Sequence, residues 1–192
     1  MSSNVVIVDS QDESRKNLKI LLNHLGYEVV GEGENGREAI ELSEKLKPDL
    51  ILMDVEISEM DGIITAREIN QRVSLPIILY AVKRDEKMIQ RVKDSGVMAY
   101  LVKPIREEEL KVTIELAISR FDELKVLRKE IKELKETIET RKIIERAKGI
   151  LMERQRLKER DAFRKLQKFS MDKRKPMKKV AEAIIIAYEI DP

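Results

Sequence analysis

Three short apolar runs end on residues that can do phosphate chemistry. NVVIV runs into Asp9, LILM into Asp54 and AYLV into Lys103. Each run has the length and apolar content of a buried strand. Strands that alternate with helical stretches assemble into a parallel sheet, and ligands of open parallel sheets bind beyond the carboxyl ends of the strands. Asp9, Asp54 and Lys103 would therefore converge on one edge. Carboxylates at such an edge suit Mg²⁺, which takes a few carboxylates together with water and phosphate oxygens. A nearby lysine holds a phosphate as a point charge.

The elements needed to position these residues are legible in the same stretch. Strands are predicted at Asn4–Val8, Tyr27–Val30, Leu50–Met53, Pro76–Ala81 and Ala99–Val102. Between them, Leu18, Leu21, Leu22 and Leu25 mark a first helix stopped by Gly26. Further helices are predicted from Gly36 to near Lys47-Pro48, over Gly62–Gln71 and over Asp85–Ser95. Residues 1–106 thus read as an α/β domain with a five-stranded parallel sheet. His24, the only histidine, ends the first helix and reads as structural. Without a second His, the chain is neither a histidine kinase nor a phosphotransfer protein.

From Ile105 to Lys148 there is no Gly or Pro. Leu124, Leu127, Ile131, Leu134 and Ile138 recur at alternating three- and four-residue steps, the heptad seam of a coiled coil. A helix over this stretch is about 65 Å long at ~1.5 Å per residue. So narrow a seam requires a partner, most simply a second copy of the chain. Residues 107–136 read as this linker helix.

Beyond it, Ile143, Ile144, Ala147, Ile150 and Leu151 widen the apolar face. A turn is predicted at Gln155–Lys158. A second helix follows over Arg160–Ser170, with Ala162, Phe163, Leu166 and Phe169 inward. MDKRK is then a basic loop, and Pro176 opens a third helix burying Met177, Val180, Ala181, Ile184 and Tyr188. Residues 137–192 form a small three-helix bundle. Phe163, Phe169 and Tyr188 could stack on nucleobases, although aromatics at helical spacing more often belong to a core.

Charge separates the two ends. Residues 1–106 hold 15 Lys and Arg against 18 Asp and Glu, whereas residues 141–179 hold 16 against 5. A basic back half is the footprint of a polyanion partner. The cations are spread over three helices and a loop rather than gathered on one recognition helix, unlike a DNA-binding helix-turn-helix. The chain has no Cys, which excludes disulfides and zinc-thiolate sites. With no membrane-length apolar run and no signal-peptide layout, a cytoplasmic, non-enzymatic protein is expected.

LILMDVEISEMDGI and AYLVKP resemble the phosphorylation segment and the terminal Lys-Pro motif of the receiver domains of two-component response regulators. The resemblance implies a flavodoxin-like fold with Asp54 as phosphoryl acceptor. It also implies Mg²⁺ held by Asp9, Asp54 and the backbone carbonyl of Glu56, Lys103 on the acyl phosphate, a cis Lys103-Pro104 bond and a cognate histidine kinase. Tyr100 is either a rotameric switch, as in that family, or an edge residue. Three positions depart from the family pattern: Ser10 replaces a second acid, Ala81 a Ser or Thr, and Ser58 a Pro. RKIIERAKGILMER, DAF and KPMKKVAEAI resemble the ANTAR domain, the RNA-binding output of transcription antitermination regulators of the AmiR and NasR type. Lys158 stands where a capping Ser, Thr or Asp is common. This second resemblance implies binding to paired hairpins in mRNA leaders, by a dimer joined through the coiled coil, with prevention of a terminator. Residues expected at the RNA are Arg141, Arg146, Lys148, Gly149, Met152, Arg174, Lys178 and Lys179. An alternative keeps the fold and drops the phosphorylation: a receiver that serves only as a dimerising platform for RNA or protein binding.

Overall fold

The computed structural model describes residues 3–82 and 86–190. In the first half, strands β1 (Asn4–Val8), β2 (Glu28–Gly33), β3 (Leu50–Asp54), β4 (Ile77–Ala81) and β5 (Ala99–Val102) alternate with helices α1 (Asp12–His24), α2 (Gly36–Leu46), α3 (Gly62–Arg72) and α4 (Glu86–Lys93). The strands form one parallel sheet in the order β2-β1-β3-β4-β5. Side chains on a strand alternate between faces, and the two cores follow that alternation. Val6, Val8, Ile51, Met53, Ile77 and Leu79 pack with Ile40 of α2 and Ile63 and Ile69 of α3. Val5, Ile7, Leu50, Leu52, Ile78 and Tyr80 pack on the opposite face with Leu18 and Leu22 of α1. The sheet is therefore covered on both sides, which is why its strands read as continuous apolar runs.

The bounds of β2 and α4 depart most from the sequence expectation. β2 begins one residue later than Tyr27 and continues through the GEG stretch to Gly33, because its ladder with β1 extends to Val8↔Gly33. Pairing, rather than apolarity, carries it to that end. α4 stops at Lys93, and Ser95 Oγ donates to the Val92 carbonyl at 2.6 Å before Gly96 turns the chain at φ +78°. Asp85, predicted to open that helix, lies outside the described residues.

Gly62 opens α3 directly under the third strand. A β-carbon there would stand 2.3 Å from the Asp54 carbonyl oxygen and 3.0 Å from Val55 Cα. Both obstacles are backbone, which cannot swing aside. Gly62→Ala is expected to destabilise this domain by about 1–3 kcal/mol, seen as a lowered midpoint in thermal unfolding of the full chain.

Helix α5 runs from Glu107 to Gln155 without interruption. Its first turns complete the second of these cores through Leu110, Ile114 and Ala117. Gly149 does not break it. From Asp122 to Glu139 every residue is exposed, and the seam residues Leu124, Leu127, Ile131, Leu134 and Ile138 are between 39% and 63% exposed.

In the C-terminal unit the end of α5 packs with α6 (Glu159–Lys173) and α7 (Met177–Ile190). Ala147, Leu151, Ala162, Leu166, Ala181 and Ile185 form its centre. The predicted MDKRK loop is largely helix: α6 continues through Lys173 and ends where Arg174 adopts the left-handed region at φ 50°. Pro176 caps α7 rather than opening it, its carbonyl accepting from the N–H groups of Lys179 and Val180. Lys158 sits at the start of α6 without a side-chain capping bond. The expectation that Phe163 and Phe169 point inward is wrong; they are 41% and 36% exposed. α6 turns a narrow face to its neighbours, and Ala162 and Leu166, four residues apart, fill it.

Candidate functional site

Asp9, Asp54 and Lys103 meet at the carboxyl edge of the sheet. Lys103 Nζ lies 2.5 Å from Asp54 Oδ2 and 3.2 Å from Asp9 Oδ2. One ammonium thus bridges two carboxylates, both buried. The cis Lys103-Pro104 peptide follows β5 directly. Asp54 Oδ1 accepts the Glu56 N–H at 2.9 Å, which fixes the carboxylate plane. Glu56's own carbonyl lies 3.4 Å from Ser10 Oγ and so faces the same edge.

Asp9 is more heavily engaged than its sequence context suggests. Its Oδ1 accepts the Gln11 N–H at 2.9 Å. Its Oδ2 accepts from Ser14 Oγ at 2.5 Å and from the Tyr80 hydroxyl at 2.9 Å, in addition to Lys103. Burial works to raise the Asp9 pKa, but these donors outweigh it and hold the group below the ordinary carboxylate range. Burial alone would lower the Lys103 pKa; the two carboxylates reverse that and raise it. Burial and Asp9 push the Tyr80 phenol well up, so it remains a neutral donor. Its ring also lies under Lys103, 4.9 Å from Nζ to centroid.

Sequence reasoning missed Tyr80, Ser14 and Arg15. Arg15 is buried and donates to the Asp9 carbonyl at 2.7 Å and to Glu34 at 2.7 Å. One signal was present: Tyr80 is the only polar side chain in an otherwise aliphatic buried strand, IILYA, and a buried phenol needs a partner.

The basic half presents a different surface. Arg141, Arg146, Arg174 and Lys179 are exposed, as is Met152, and Lys178 is half-buried. Lys179 pairs with Glu182 at 3.0 Å. Lys148 does not share this exposure. It is 6% exposed, and its ammonium lies 2.8 Å from both Glu145 and Glu159. Those two bonds raise its pKa and tie α5 to the start of α6, where no side-chain cap exists. Gly149, one residue on, has open space around it: a β-carbon there would meet nothing within 4 Å. It is therefore not a packing glycine.

The response regulator receiver domain model matches residues 5–115, and the ANTAR domain model matches residues 132–185. This chain belongs to the response regulators, with a receiver domain and an ANTAR domain. Transcriptional regulatory protein PdtaR of Mycobacterium tuberculosis is 43% identical over 181 residues, covering 94% of this chain and 88% of PdtaR. Chemotaxis protein CheY of Thermotoga maritima is 36% identical over 107 residues, which is 55% of this chain and 89% of CheY. The signal receiver domain of a modulated diguanylate cyclase from Desulfovibrio desulfuricans superposes with a TM-score of 0.60 at 33% identity, covering 64% of this chain and 98% of that domain.

In this response regulator the three departures from the receiver pattern have visible structural consequences. Ser10 supplies a hydroxyl to Glu56 in place of an acid. Asp12 does not compensate, since it pairs with Lys16 at 2.6 Å and Arg15 at 3.2 Å. Ser58 ties the loop after β3 to the Glu34 carbonyl at 3.2 Å. Ala81 leaves the end of β4 without a hydroxyl, and the preceding Tyr80 supplies one to Asp9 instead. Tyr100, on β5, is half-buried and packs on the core. His24 meets Glu107 at 2.9 Å, a contact within the fold. Among the described residues no three His, Asp or Glu side chains cluster as a metal site, and no helix is long and apolar enough to cross a membrane. The ANTAR domain makes RNA the expected class of partner, and the receiver makes a histidine kinase one.

Proposed function

We propose that this response regulator is phosphorylated on Asp54 and that its ANTAR domain binds paired hairpins in mRNA leaders and promotes antitermination. The observation that carries the first half is the Lys103 bridge between Asp9 and Asp54. It places a nucleophilic carboxylate, a second acid and a fixed cation in one pocket. An Asp54 oxygen attacks phosphorus in line as the bond to the leaving group breaks; with a phosphohistidine donor, the imidazole departs and takes up a proton. Lys103 then moves from the carboxylate to the transferred oxygens. The donor set fits Mg²⁺ in kind, with Asp9, Asp54 and the Glu56 carbonyl all offering oxygen. Bound there, the metal would neutralise charge on the phosphoryl oxygens.

The donors on Asp9 oppose metal binding, because each must be weakened before Oδ2 can coordinate. Tyr80→Phe removes one and leaves the apolar packing in place. The variant is expected to bind Mg²⁺ roughly tenfold more tightly by calorimetric titration, the equivalent of one hydrogen bond to a charged group. Unchanged or weaker affinity would show that Tyr80 does not restrain Asp9.

The match to the ANTAR domain and to PdtaR over most of both chains supports the second half. Sequence-specific RNA readers engage unstacked loop bases, while cations track phosphates. Arg141, Arg146, Gly149, Met152, Arg174, Lys178 and Lys179 are our candidates for contact. Lys148 is retained as a candidate that must first leave Glu145 and Glu159. The test is binding of the purified chain to a paired-hairpin RNA and to scrambled RNA of equal length across a salt series. Preference for the hairpin at every salt concentration supports the reading. Equal, steeply salt-dependent binding to both RNAs would reduce the basic half to a general polyanion surface.

A further inference from the structure

Between the end of α6 and the outer face of α7 lies a groove of about 800 Å³. Phe169, Val180, Ile184 and Tyr188 make its apolar walls, and Lys173, Lys175 and Lys179 stand along it. The basic run is dense here, with five cations among the seven residues of KRKPMKK, 173–179. The aromatic walls are held in place. Gln155 Nε2 donates to the Tyr188 hydroxyl at 2.8 Å, and Lys165 Nζ donates to Gln155 Oε1 at 2.5 Å. The same Lys165 ammonium lies over the Phe169 ring, 5.9 Å from its centroid.

We propose that this groove receives an unstacked base from the loop of a hairpin RNA. The base stacks on the aromatic surface of Phe169 and Tyr188, and Lys173, Lys175 and Lys179 hold the flanking phosphates. The proposal deepens the RNA-binding reading and rests on it. Three observations select this occupant. The groove combines a π surface with a cationic rim, which is the pairing that single-stranded nucleic acid uses. Its volume admits a base together with its sugar. A second copy of the chain is disfavoured, because a twofold contact brings the same patch to both subunits and would set the three lysines against themselves. Phe169 is available only because Leu166, not Phe169, fills the core of the unit.

The experiment is a double comparison on the full chain. Wild type and Phe169→Leu are titrated with a paired-hairpin RNA, with the same RNA carrying an abasic site at each loop position in turn, and with a loopless duplex of equal length. Leucine keeps the apolar volume and removes the ring, and circular dichroism checks the helix content. Phe169→Leu is expected to weaken hairpin binding roughly 5- to 100-fold and to leave duplex binding unchanged. One abasic position should weaken wild type by a similar factor and cost the variant nothing more. If the two losses multiply, or the variant loses duplex binding equally, the base does not sit on Phe169 and the proposal falls, while hairpin binding itself stands. If an acidic helical peptide fills the groove without competing with hairpin RNA, the partner is a protein segment and the proposal falls. If wild type shows no preference for the hairpin, the RNA reading fails and takes the proposal with it.

Discussion

Asp54→Asn abolishes covalent phosphate uptake, the largest effect expected of any single substitution in the receiver. The chain is incubated with a small phosphodonor and Mg²⁺, and the intact mass is recorded. Wild type gains one phosphate and the variant none. The geometry makes this an interpretable loss. Asparagine can still accept the Glu56 N–H that orients Asp54 Oδ1, so the loop keeps its shape. Its amide cannot replace the oxygen that pairs with Lys103, nor can it attack phosphorus. Lys103 would remain paired with Asp9 alone, at 3.2 Å in the parent. Thermal stability separates loss of chemistry from loss of fold. Absence of phosphate uptake by wild type with every donor tried would favour the reading in which the receiver only pairs two copies.

The second large effect concerns the exposed seam of α5. Replacing Ile131 and Leu134 together by Lys is expected to convert a dimer to a monomer, read by sedimentation velocity. The parent residues are 52% and 63% exposed in the single chain and belong to none of its buried cores, so the substitutions disturb no core within it. Helix content should persist. In a dimer the same positions would become facing knobs, and four ammonium groups in one apolar seam carry a desolvation cost that no partner offsets. Two ANTAR heads on one dimer would bind two hairpins with an affinity raised by effective concentration, by about 10²–10⁴ over one head. The variant should lose that factor on two-hairpin RNA and bind a single hairpin as before. A parent that is already monomeric at the concentrations used for RNA binding would overturn the coiled-coil dimer.

How much of this was legible without the structure depends on the range over which each signal acts. Strand ends at Asp9, Asp54 and Lys103 follow from short apolar runs and their stops, which are local. The seam from Leu124 to Ile138 follows from a period that belongs to one helix. Both survived folding, because a parallel sheet must bring its carboxyl ends to one edge and a period of seven residues must line one stripe. The same local reasoning placed Gly62, Pro176 and the end of β5 to within a residue or two.

Tertiary structure decided what stands opposite. Asp9 reads as a free metal ligand until Tyr80, 71 residues away, is seen to donate to it across two strands. Lys148 sits in a basic run, yet Glu145 one turn back and Glu159 on the next helix enclose its ammonium. Phe169 has the spacing of a core residue, but a three-helix unit offers α6 only a narrow inner face, and Leu166 occupies it. In each case charge or periodicity along the chain was legible, and the burial and partners of the side chain were not. Burial and pairing are set by neighbours distant in sequence, and those are chosen only when the elements pack.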